Sequence, residues 1–192
     1  MKFKQFHVQL QIVIPMILFA PLALANETAI LFGLGQPILF NGYNVELNYL
    51  TENLVFEYSH GWNLNISNFK DALTEEEKKQ DLDILTPFST GGGIGYRFTD
   101  LFHAALEYKV HEFEVSSPTV AEFSYRTQTL GVGLYYNWKP FEDSGFTVVS
   151  ALRYWPTIAT SLENDEKILS NGRVHKAHGF DVAPNVKIGW TF

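Results

Sequence analysis

Tyr58-Ser59-His60-Gly61 sets a hydroxyl beside an imidazole, and with an acid nearby such a set could run nucleophilic acyl chemistry. His103 and His111 bracket Glu107 and Lys109, a grouping that suits a proton relay or a charged pore wall. His175 and His178 stand with Arg173 and Lys176, where they could hold a phosphate or a metal. Glu163-Asn164-Asp165-Glu166 offers the hard oxygen ligands that calcium takes, without the ligand spacing of an EF-hand loop. The stretch from Asn68 to Asp83 is acidic, and Glu75 and Lys79 would pair one helical turn apart. Each of these has a plainer reading as a solvated loop or a satisfied polar interior. The expectation is therefore no catalytic residue, no metal ligand and no cofactor.

Whether any of these groups can converge depends on the elements that carry them. Apolar residues recur at every second position in eight segments, the period of a strand with one face against hydrocarbon or a core. The first sets Ile30, Phe32 and Leu34 against Ala29, Leu31, Gly33 and Gly35. The second sets Tyr43, Val45, Leu47 and Tyr49 against Asn44, Glu46 and Asn48. The third sets Leu54, Phe56 and Tyr58 against Val55, Glu57 and Ser59. Ile94, Tyr96 and Phe98 oppose Gly91, Gly93, Gly95 and Arg97. Ala104, Leu106, Tyr108 and Val110 oppose His103, Glu107, Lys109 and His111. Leu130 to Trp138, Phe146 to Tyr154 and Val186 to Phe192 repeat the pattern. Adjacent strand residues point to opposite faces, so Ser59 and His60 cannot simply pair.

One face of these segments is bulky and apolar. The other is small or charged and carries Glu46, Glu57, Arg97, Glu107, Lys109, Arg153 and Lys187. The interior of an eight-stranded barrel is just wide enough for packed side chains. The large residues are thus expected to face lipid, with the small residues and a nearly balanced charge network in the lumen. This predicts an all-β chain, an eight-stranded antiparallel up-and-down transmembrane β-barrel. Tight joins fall at Thr51-Glu52-Asn53, at Thr99-Asp100 and from Lys139 to Gly145. Longer connections fall at residues 67–87, 112–125 and 156–178. The connection from Gln36 to Gly42 is short and apolar, so the strands there are expected to extend. Tyr49, Phe98, Trp138 and Trp190 would form an aromatic girdle on the tight-turn side.

The front of the chain has the pattern of a secretory signal peptide. Lys2 and Lys4 precede the apolar run Ile12 to Leu24, and Ala23-Leu24-Ala25 is a cleavage signal, giving a signal peptide over 1–25 and a barrel over 26–192. The run is too short and too proline-broken to span a bilayer. Fourteen Lys and Arg fall to 12 when Lys2 and Lys4 leave, so against 21 acids the mature chain carries 12 − 21 = −9. That excludes a basic nucleic-acid face. With no cysteine there is neither a disulfide nor a thiolate site.

The signal peptide, the eight alternating segments and the terminal Gly189-Trp190-Thr191-Phe192 resemble the small eight-stranded bacterial outer-membrane β-barrel proteins. The resemblance covers the whole mature chain as architecture and carries no subfamily motif. It implies a bacterial outer-membrane location, contact with outer-membrane lipids including lipopolysaccharide, and a C-terminal signal of Ile188, Trp190 and Phe192 read by the barrel-assembly machinery. The function this points to is a non-enzymatic barrel whose outer loops serve a structural, adhesion or ligand-interaction role, with a possible extracellular ligand. The alternative is a lipid A-modifying acyl hydrolase or transferase using Ser59 and His60, and after that a narrow, porin-like pore.

Overall fold

A computed structural model describes residues 27–141 and 145–192; the expected signal peptide lies outside the described residues. The chain runs through β1 (Glu27–Gly33), β2 (Tyr43–Leu50), β3 (Leu54–Asn65), β4 (Asp83–Arg97), β5 (Phe102–Ser117), β6 (Val120–Trp138) and β7 (Phe146–Trp155). Three short strands follow, β8 (Thr157–Thr160), β9 (Glu166–Ile168) and β10 (Val174–Lys176), and then β11 (Phe180–Thr191). Each of β1 to β6 pairs antiparallel with the next, and the short β8 pairs with the far end of β6. β11 pairs with β7 on one side and closes on β1 on the other, with Phe32 opposite Ile188 and Ile30 opposite Trp190. The result is a closed, eight-stranded up-and-down barrel in which no stave keeps a full free edge.

The alternation decides which face is which. On β5, His103, Ala105, Glu107, Lys109 and His111 are buried, while Phe102, Leu106 and Tyr108 are exposed. On β6, Gly131, Gly133 and Tyr135 point in and Leu130, Val132, Leu134, Tyr136 and Trp138 point out. Small inward residues let the wall close tightly. A Cβ added at Gly131 would lie 1.9 Å from the Tyr154 carbonyl oxygen, and one at Gly189 would lie 1.9 Å from that of Ile30. Glycine is needed at both for close approach of neighbouring backbones.

Two expectations about connections are corrected. Residues 112–125 are not a loop: β5 runs to Ser117 and β6 begins at Val120. Beyond Val110 the outward positions become Glu112 and Glu114, while Phe113 and Val115 turn inward and are fully buried. The strands simply leave the apolar band and acquire a water-facing outside. The connection from Gln36 to Gly42 is not extended strand but a short helix, α1 (Gly35–Leu39), with Pro37 in its first turn, where a missing N–H is harmless.

Beyond the band, Phe113, Val115, Val120 and Tyr125 pack with Leu64, Ile66, Leu73, Leu82, Ile84 and Leu169. This second core joins the tops of β3 to β6 to the β3–β4 connection, which holds α2 (Glu75–Lys79), and to the segment carrying β8 to β10. The barrel therefore bears a folded cap on its long-loop end. On the opposite side, β1 ends at Gly33 and β2 starts at Tyr43, so the wall is low there.

Candidate functional site

The lumen is filled by charge. Glu46 on β2 takes hydrogen bonds from Lys187 on β11 at both carboxylate oxygens, from Arg153 Nη2 on β7 at 2.9 Å and from Asn48 Nδ2 at 3.1 Å. Arg153 Nε donates to the Tyr135 hydroxyl at 3.0 Å, and that hydroxyl donates to Glu107. Lys109 Nζ donates to Ser59 Oγ and lies 4.0 Å from Glu57 and 3.9 Å from Glu107. Three acids thus face Lys109, Arg153 and Lys187, all nearly inaccessible to water. Tyr135 fills the space between them. It stacks on His103 at 4.3 Å, and Lys187 Nζ lies 4.8 Å from its ring centre. Charge balance and dense contact are what make such burial tolerable.

Arg97 stands apart from this set. Its guanidinium sits at the tight-turn end, donating to the Thr51 carbonyl at 2.7 Å and resting 3.5 Å from Asp100. Ser59 and His60 also part. Ser59 points into the lumen toward Lys109, while His60 turns outward and stacks on Trp62 at 5.9 Å. The serine–histidine contact that does form joins Ser89 Oγ and His111 Nδ1 at 2.8 Å. The other ring nitrogen of His111 is 3.1 Å from Thr129 Oγ1, so a hydroxyl rather than a carboxylate orients it.

Above the charged plug lies a cavity of about 400 Å³. Ser59, Lys109, Arg153 and Trp155 line it near the plug. Leu39, Phe40, Leu64, Ile66, Phe69 and Phe180 supply apolar wall. The Lys109 ammonium and Arg153 guanidinium lie 4.9 and 4.7 Å from the Trp155 ring, fixing the indole at the boundary between charge and hydrocarbon.

The cap holds a second polar cluster. Thr74 and Glu77 form a capping box at the start of α2: Glu77 N–H donates to Thr74 Oγ1 at 3.2 Å and Thr74 N–H to Glu77 Oε2 at 2.7 Å. The other Glu77 oxygen lies 3.0 Å from His178 Nδ1. The His178 N–H donates to the Tyr125 hydroxyl at 2.9 Å, and His175 Nε2 is 3.1 Å from the same hydroxyl. Burial pushes the Glu77 carboxyl up, but the hydrogen bond and charge of His178 and the bonds from Thr74 outweigh it and hold the group below its ordinary value. Burial holds the His175 imidazole low, partly offset by Glu77. Burial likewise raises the Tyr125 phenol.

His175 and His178 therefore do not form an exposed basic spot for phosphate; both are buried ties between loops. Among the described residues no group of three or more His, Asp and Glu is arranged to hold a metal, and Glu163, Asp165 and Glu166 are exposed. Glu75 pairs with Lys78 at 2.9 Å rather than with Lys79. The Thr74-x-x-Glu77 pattern was the one sequence signal for this cluster. Nothing local in sequence joins Glu77 to His178 or Ser59 to Lys109.

No family model matches the chain, and no curated protein matches it. Among solved structures, a major outer membrane protein from Thermus thermophilus aligns over 88% of this chain and 100% of its own, at 9% identity and a TM-score of 0.49. Ail, the attachment invasion locus protein of Yersinia pestis, solved with the heparin analogue sucrose octasulfate, aligns over 87% of this chain and 99% of its own, at 12% identity and a TM-score of 0.42. The chain resembles outer-membrane β-barrels at the level of architecture.

Proposed function

We propose that this chain is a bacterial outer-membrane barrel, exported behind a cleaved signal peptide, that acts without catalysis as a mount for its cap. The observation that carries this reading is the switch of faces along β5 and β6. Outward residues are apolar from Phe102 to Val110 and from Leu130 to Trp138, then polar at Glu112, Arg126 and Gln128. Those apolar stretches match the roughly 9–11 residues a tilted strand needs to cross a bilayer. Phe192 and Trp190 are exposed on the same outward face, in keeping with a C-terminal signal of Ile188, Trp190 and Phe192 for the assembly machinery and with contact to lipopolysaccharide and other envelope lipids.

The filled lumen weighs against a pore. The enzymatic reading loses its Ser59–His60 pair, and Ser89–His111 lacks an orienting carboxylate. The cap, with its own core and exposed Glu75, Glu76, Glu163 and Glu166, is the part built to meet a ligand, a host surface or an envelope component. The test is display on a Gram-negative cell. Trypsin added to intact cells should cut at Lys78, Lys79 or Lys167 while the barrel stays whole. Adhesion of those cells to an epithelial monolayer should fall when residues 157–177 are replaced by a short turn. Cleavage only after lysis would refute the location. An altered lipid A mass in expressing cells would restore the enzyme.

A further inference from the structure

Resting on that membrane reading, we infer that the cavity above the plug is a binding site for a neutral, single-chain amphiphile with a hydroxyl-bearing head, a monoacylglycerol in chemical class, entering from the outer leaflet.

The entry is written in the strand pairing. β11 pairs with β7 from Phe180 to Trp190, but with β1 only from Lys187 to Thr191. The last β1-side bond is Leu34 N–H to the Val186 carbonyl at 2.8 Å. Alternate residues of an antiparallel strand present their backbone groups to the same neighbour. Val182 and Pro184 therefore face the side where β1 has ended, and Pro184 is tolerated there because it has no N–H to leave unpaired. α1 follows β1 at this notch with Gly35 and Leu39 on the cavity, and the Phe40 carbonyl just after it accepts from the Asn65 N–H at the end of β3 at 2.8 Å. Both lips are apolar: Ile38 is 75% exposed and Val182 65%. Gly35, Leu39, Val182 and Pro184 line the cavity itself, so the notch and the cavity are continuous.

The head group follows from what the cavity leaves unpaired. The amide oxygens of Gln36, Asn44 and Asn185 are buried without a donor, and the Trp155 indole N–H is buried without an acceptor. All four residues line the cavity. Hydroxyls satisfy both needs, because each can donate and accept. The three acids and three bases of the plug balance one another, and of the charged residues that line the cavity Lys109 and Arg153 are matched in number by Asp71 and Asp181, which leaves no net charge for an ionic head. The apolar wall of Leu39, Phe40, Phe69 and Phe180 takes the chain. About 400 Å³ lies within the range of roughly 300–1,000 Å³ typical of small-molecule sites.

The probe is 1-mono(9,10-dibromostearoyl)glycerol in phosphatidylcholine vesicles. The chain holds four Trp, so Trp62→Phe, Trp138→Phe and Trp190→Phe together leave Trp155 as the reporter. Bromines on a bound chain would quench it. The expected result is quenching that saturates at a few mole per cent of probe and is reversed by unbrominated monoacylglycerol. Dibromostearic acid, with its ionic head, should need at least tenfold more. Ala183→Phe, which fills the cavity, should abolish saturation while the heat-dependent gel shift of a folded barrel persists. Quenching that rises linearly with probe, or is unchanged in Ala183→Phe, overturns the site. Equal or tighter binding of the acid overturns the neutral head. Flotation of the protein with the vesicles is scored first. Failure to float refutes the membrane reading itself, whereas floating protein with no saturable quenching refutes only the site.

Discussion

Glu46 and Lys187 stand on the two strands that flank β1, and the lysine ammonium rests on both oxygens of the carboxylate inside the barrel. The pair ties β2 to β11 across the closure of the barrel, with Arg153 as the second cation on the same carboxylate. Removing Lys187 leaves three buried acids facing only two buried cations, Lys109 and Arg153. Lys187→Met is expected to destabilise the barrel by about 3–5 kcal/mol. Glu46→Gln combined with Lys187→Met should recover a good part of that loss. Urea midpoints read from the gel shift of folded against unfolded protein check both. Equal loss in the single and double variants would show that the charge imbalance is not the cause.

Tyr135 is fully buried among the lumen charges. Its hydroxyl bridges Arg153 and Glu107, and its ring covers Lys187 and His103. Wild-type protein in a planar bilayer should pass no resolvable current. Tyr135→Ala should lose about 3–5 kcal/mol, as large buried aromatics do on truncation, and should show discrete openings as water enters beside the ion pairs. Current steps in the wild type would mean that the plug leaves a continuous path.

Gly189→Ala places a methyl group against the Ile30 carbonyl, in the β1–β11 seam. Backbone on both sides must move, so a loss of about 1–3 kcal/mol is expected. Gly35→Ala is the matched control, since the nearest atom to its Cβ would be Asn185 Oδ1 at 3.7 Å. Urea midpoints of the two variants should separate clearly. Similar midpoints would show that the seam relaxes freely.

The barrel was legible because lipid and lumen impose opposite demands on alternate residues, and Leu106, Tyr108 and Val110 answer one while Glu107, Lys109 and His111 answer the other. The cap was not legible for the same reason. Past Val110 the large residues change parity, from Tyr108 and Val110 facing out to Phe113 and Val115 facing in. A search for one continuous apolar face loses phase there and reads a loop. Alternation puts the charged residues on one face of their strands but does not give their partners, because Ser59 on β3 meets Lys109 on β5, and these strands are not neighbours. Arg97 shares the inward parity of that face yet lies at its tight-turn end, where the turn carbonyl of Thr51 is nearer than any lumen acid. Parity gives the face of a residue; only the register gives its depth.

The Glu77–His178–Tyr125–His175 cluster makes cap stability pH-dependent, with a definite sign. His175 is held below its ordinary value of 6.5, so as pH falls past that value an opened cap takes up a proton that the closed cap refuses. Glu77 is held below its ordinary value of 4.5, so its contribution is present above that value and is lost as pH falls through the depressed range. Both effects loosen the cap on acidification, the histidine first. Trypsin cleavage at Lys78 and Lys79 in vesicle-bound protein, corrected for the protease's own pH profile, should quicken between about pH 7 and about pH 5. His175→Gln keeps a hydrogen-bonding group beside Tyr125 and should flatten that first phase. Thr74→Ala removes the cap of α2 and should speed cleavage at every pH, by the equivalent of about 1 kcal/mol. A cleavage rate that stays constant over the interval, or a phase that survives in His175→Gln, would separate the cluster from the cap's opening.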